Sequence, residues 1–119
     1  YKRQLEQRAA AAALCEPRLL GRADQVERVL LILDSITASI EGVEDRRSDE
    51  FRALRKGLGY CWSVAVAAYP QAGKARMETW LTCPDSDVRW IMKQNLRKKR
   101  LERMDADWVS KWQSQMNMT

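Results

Sequence analysis

The sequence predicts an all-α chain of about six helices, and three observations lead there. Apolar residues recur at helical spacing along most of its length, and no stretch reads convincingly as a strand. Isolated Pro and Gly residues punctuate these runs, and Ser or Asp residues follow them at helix-opening positions. The organising stretch, Pro84 to Met104 (PDSDVRWIMKQNLRKKRLERM), reads as a proline turn, an acidic start and one long helix.

Length and composition set the limits. A chain of 119 residues is one domain by size, here 1–119, and 45% hydrophobic content with five Trp is a folded rather than a disordered composition. The net charge is +5, unevenly spread: residues 1–45 carry six Lys or Arg against eight Asp or Glu, whereas residues 46–119 carry fifteen against eight. A basic C-terminal part raises the expectation of an anionic partner, either a phosphate backbone or an acidic protein surface. The absence of His excludes Cys/His zinc sites, His general bases and His-dependent triads. Cys15, Cys61 and Cys83 are far apart and lack a C-x-x-C spacing. No cofactor is expected, and neither is a membrane segment, so a cytoplasmic setting is the default. A first residue of Tyr rather than Met is the expectation for a piece of a longer chain.

Taken in order, Lys2 to Leu14 reads as an alanine-rich helix with a small-residue face, closed by Pro17 and Gly21. Asp24 opens a second helix, with Glu27 at capping-box spacing. Val26, Val29, Leu30, Leu33, Ile36, Thr37 and Ile40 form its inner stripe, and Gly42 is placed to stop it. After the polar connector EDRRS, Ser48 with Asp49 and Glu50 opens a third helix. Its main face is Phe51, Leu54, Leu58, Cys61, Trp62, Ala65 and Tyr69. The run YCWSVAVAAY is apolar nearly all round, so this helix should be the central core element. Gly57 and Gly59 lack the preceding strand and the lysine of a phosphate-binding loop, and are expected to let another helix approach closely. A short fourth helix from about Ala72 to Leu81 should turn Met77, Trp80 and Leu81 inward. Asp105 with Asp107 begins a last one carrying Trp108, Trp112 and Met116.

On the fifth helix, Val88, Ile91, Met92, Asn95 and Leu96 share the buried stripe, while Arg89, Lys93, Arg97 and Arg100 lie together on another face. Trp90, Leu101 and Met104 fall opposite the stripe. A second apolar patch is what a helix inside a stacked array needs. A weak repeat agrees with stacking: Asp49-Glu50-Phe51-Arg52 resembles Asp87-Val88-Arg89, and Phe51 precedes Val88 by 37 residues, a period typical of stacked helical pairs.

These residues carry a family resemblance. Asp85-x-Asp87-Val88-Arg89, after a helix ending in Leu81 and a turn containing Pro84, resembles the junction between the two helices of a HEAT repeat. GLGYCWSVAVAAYP followed by DSDVRWIMKQNLRKKRL is similar to the C-terminal part of uncharacterised prokaryotic HEAT-repeat proteins, over roughly residues 48–105. The resemblance implies a HEAT-like right-handed α-α superhelix used as a binding scaffold, and it implies no reaction. HEAT-like folds also include alkylpurine DNA glycosylases and phycobilin lyase subunits, but none of their functional residues matches a position here. Function inferred from fold alone is analogy.

The leading expectation is therefore a non-enzymatic module for protein–protein contact or self-association, through the second apolar patch and its flanking cations. The alternative is nucleic-acid binding of the DNA alkylation-repair kind, with Arg89, Lys93, Arg97 and Arg100 on phosphates and Trp62 or Trp90 as a stacking face. A bilin-binding relative is a third. Each feature also has a plain structural account: cations near a helix C-terminus match its dipole, large aromatics pack cores, and Asp85 and Asp87 start a helix with no cation spaced to tune them.

Overall fold

The computed structural model describes residues 23–118, which form six helices and, among the described residues, no strand. They are α1 (Ala23–Ile40), α2 (Asp49–Ala68), α3 (Pro70–Leu81), α4 (Ser86–Leu96), α5 (Lys99–Met104) and α6 (Ala106–Gln115). The alanine-rich segment Lys2 to Leu14, with Cys15, Pro17 and Gly21, lies outside the described residues, as does the Asp24 side chain. The molecule measures 38 × 34 × 19 Å, and its thin dimension is that of two helix layers.

Helix α2 is the hub, packing against α1, α3, α4 and α5. Its face from Phe51 to Ala65 is buried as the periodicity predicts, and Cys61 to Val66 are buried without a break, so the helix is enclosed on several sides. All seven stripe residues of α1 are buried too, leaving Leu31 and Ile32 outside. Within that core the indole N–H of Trp62 donates to Thr37 Oγ1 at 3.0 Å, and the Thr37 hydroxyl donates to the Leu33 carbonyl at 2.7 Å. The one polar edge of Trp62 is thereby satisfied, as a buried donor must be.

The packing of α4 on α2 is keyed by Asn95, which is completely buried. Its amide donates to the carbonyls of Leu58 and Ile91 at 2.9 and 2.8 Å, and its oxygen accepts from Ser63 N–H at 2.8 Å. One α4 side chain thus joins the backbones of two helices, at a level where Gly59 keeps α2 slim. A Cβ on Gly59 would lie 3.3 Å from Gln94 Cβ and from Trp90 Cζ3. The expected close approach at Gly59 is therefore present. Gly73 allows a still closer one between α3 and α2, since a Cβ there would come within 2.6 Å of Val66 Cα.

One expectation is corrected and two hold with a difference. The long fifth helix is two helices, broken at Arg97 and Lys98, because a continuous helix would carry Leu101 outward, whereas the break turns it into the core with no exposed surface. Burying a Leu is favourable by about 1.5–3 kcal/mol. The freed carbonyls find other donors: Lys98 N–H on Asn95, Arg97 N–H on Gln94, and the Gln113 amide on Leu96. The second apolar patch on that helix consequently does not exist as one surface. Second, Gly42 stands just past the end of α1 as expected, but without the left-handed backbone of a glycine cap, and Arg46 adds donors to the carbonyls of Ile40 and Val43 at 2.9 and 3.0 Å. Third, Trp80 packs against the core as expected but is only half-buried, with its indole N–H on Asp34 at 2.8 Å.

Candidate functional site

Along α2, Arg52, Lys56 and Tyr60 recur every fourth residue, on a row away from the Phe51–Leu54–Leu58 face. Trp90 and Gln94 have the same spacing on α4. Where the two helices cross at Gly59, these rows face each other across a groove of about 510 Å³, lined by Arg52, Arg55, Lys56, Gly59 and Tyr60 of α2, Trp90 and Gln94 of α4, and Lys98 of the following turn. Four of the eight lining residues are cations and two are aromatic, and none carries a carboxylate, imidazole or thiol. The low-dielectric floor concentrates the field of those cations on anything that enters.

The two aromatics differ in state. Over Trp90 the Arg55 guanidinium carbon sits 3.7 Å from the ring centroid, and Arg55 Nε lies 2.9 Å from Asp87 Oδ1, an ion pair outside hydrogen-bond alignment. Tyr60 is 40% exposed, with Arg100 at 4.9 Å and Lys98 at 6.0 Å from its ring centroid. Arg100 thereby joins the rim of the groove from α5.

Behind the groove, Arg46 and two aspartates fix the start of α4. Asp85 is its N-cap, accepting from the backbone N–H of Asp87 and Val88. Arg46 donates to both Asp85 oxygens and to Asp87 Oδ2, each at 2.9 Å. That guanidinium, with help from the cap N–H groups, holds the Asp85 carboxyl below the usual carboxylate range. The expectation that no cation is spaced to tune these residues is therefore corrected at Asp85: Arg46 lies about forty residues away in sequence and meets it only through the fold. Burial, reinforced by the Glu41 carboxylate 3.4 Å away, pushes the Cys83 thiol above its ordinary value, so this thiol is not an activated nucleophile.

Of the six residues singled out in the sequence, the structure brings Trp90 and Arg100 to the groove. Arg89, Lys93 and Arg97 do not line it; Arg89 and Lys93 sit one residue back from the Trp90–Gln94 row, half-buried, and Arg97 is exposed at the end of α4. Trp62 has no exposed surface and cannot offer a stacking face. Sequence reasoning missed Arg52, Arg55, Lys56, Tyr60 and Gln94, and met Lys98 only within the cationic run Arg97-Lys98-Lys99-Arg100. The row Arg52-x-x-x-Lys56-x-x-x-Tyr60 was a usable signal, although only the crossing at Gly59 makes it one wall of a groove.

Among the described residues no group of three or more His, Cys, Asp or Glu could hold a metal ion, and no helix is long and apolar enough to cross a membrane. No protein-family model, curated protein or solved structure matches this chain.

Proposed function

We propose that this chain is a non-enzymatic nucleic-acid-binding module whose contact surface is the α2–α4 groove. The observation that carries the reading is the lining itself: four cations and two aromatic rings converge on one concavity without a carboxylate. Phosphates provide the complementary charge, and bases provide flat π-faces for the aromatic rings. Contact with a protein partner takes second place because the apolar patch that suggested it is gone: Leu101 is buried and Trp90 lies under Arg55.

A HEAT-like repeat gives this groove a natural position. The N-caps Ser48 and Asp85 stand 37 residues apart, as Phe51 and Val88 do, and the helices they open, α2 and α4, lie side by side. On this reading α2 and α4 are equivalent helices of successive hairpins, and their shared surface is the binding face of a short α-solenoid.

Charge reversal tests the proposal. Lys56→Glu with Lys98→Glu should lower affinity for a labelled oligonucleotide by at least about tenfold, whereas Arg89→Glu with Lys93→Glu, outside the groove, should cost far less. Equal losses from both pairs, or no loss from the first, would contradict the assignment.

A further inference from the structure

We propose that the groove takes a single strand, with one base stacked on the Tyr60 ring and neighbouring phosphates held by Arg52, Lys56, Lys98 and Arg100. This rests on the nucleic-acid reading above and carries it from a phosphate-binding surface to a particular strand form.

The two aromatic rings of the groove are unequal. Arg55 already covers Trp90 at 3.7 Å and is itself held by Asp87, so that ring and guanidinium form a fixed wall. Tyr60 is the other case: a large side chain left 40% exposed on the hub helix, at a place where α4 passes close by and could have covered it. Its companions, Lys98 and Arg100, stand 6.0 and 4.9 Å from its centroid, and among the described residues neither forms an ion pair. Exposed cation–π contacts are weak, so both cations can swing to a phosphate while the ring face becomes available.

A duplex cannot use that face. Its bases are paired and stacked inside, so it offers a groove of about 510 Å³ phosphates and base edges but no free base face. A single strand offers both a free base and its phosphates, the combination for which aromatic platforms flanked by cations are suited. Along α2, Arg52, Lys56 and Tyr60 rise one turn at a time, about 6 Å per step, so two phosphate contacts and one base contact can follow one another along one row. Gln94 and the Tyr60 hydroxyl can both donate and accept, and lie where they can meet a base edge.

The test uses the whole chain with three probes: a short labelled oligothymidine, a hairpin duplex with the same number of phosphates, and inorganic polyphosphate. Oligothymidine should bind tightest. Tyr60→Ala should weaken it about tenfold, Tyr60→Phe should stay within about twofold of the parent, and neither should change polyphosphate binding. Far-UV circular dichroism checks that both variants stay helical. Equal binding of all three probes, or a Tyr60→Ala loss as large for polyphosphate as for oligothymidine, would overturn the single-strand inference. The groove reading would still stand in that case if Lys56→Glu with Lys98→Glu weakened every probe, and would fall with it if that pair changed nothing.

Discussion

Arg46 sits in a connector, yet its guanidinium closes two helix ends at once: it donates to the Ile40 carbonyl that ends α1 and to the carboxylates that start α4. Its side chain is 27% exposed and those of Asp85 and Asp87 are 14% and 18% exposed, so solvent screens the network only in part. Arg46→Met should cost about 2 kcal/mol in urea unfolding, from the lost charge-assisted bonds to Asp85 and Asp87. A pH effect follows from Asp85. Its folded carboxyl titrates below the unfolded value of about 3.9, so its contribution is complete above that pH and disappears as the pH falls through the lower, folded value. The melting temperature of the parent should therefore drop on acidification below about pH 4, and more shallowly in Arg46→Met. Equal slopes would refute the assignment. Nothing local in EDRRS distinguishes Arg46 from Arg47; the difference is that only one reaches Asp85, and that is a matter of tertiary distance.

Among the elements, α1 and α2 were legible because a regular helix converts sequence spacing into faces, and each buried face matches its apolar stripe. The N-caps Ser48, Asp85 and Asp105 were legible for a similar reason: capping is local, and each accepts a backbone N–H two or three residues on. The break after Leu96 was not, since KQNLRKKRL has ordinary helix formers throughout and only the burial of Leu101 selects two helices over one. Helix crossings give a sharper test of packing. In Gly73→Ala the new methyl meets the backbone of Val66, which cannot swing aside, and overpacking of about 1–3 kcal/mol should exceed the roughly 1 kcal/mol gained in helix propensity. In Gly59→Ala the contacts are side-chain atoms at 3.3 Å, so the two effects should nearly cancel. Urea midpoints should fall for Gly73→Ala and stay close to the parent for Gly59→Ala; the opposite order would show that the α2–α3 approach is looser than described.

At the scale of the molecule, the +5 net charge and its C-terminal bias pointed to an anionic partner, but the groove itself belongs to no single segment. Its walls come from α2, α4 and the turn at Lys98, and its clearest sequence trace, Arg52-Lys56-Tyr60, reads alone as a solvated helix face. Only the crossing permitted by Gly59 and pinned by Asn95 turns two such faces toward each other. The account therefore depends on those cations acting together on phosphates. Counterion release measures this directly: the logarithm of the association constant for oligothymidine, plotted against the logarithm of salt concentration, should have a slope of about −3 if Arg52, Lys56, Lys98 and Arg100 each neutralise one phosphate. Lys56→Glu with Lys98→Glu should make the slope shallower by at least about 1.4. A flat line for the parent, or the same slope in both proteins, would contradict the groove as the binding site.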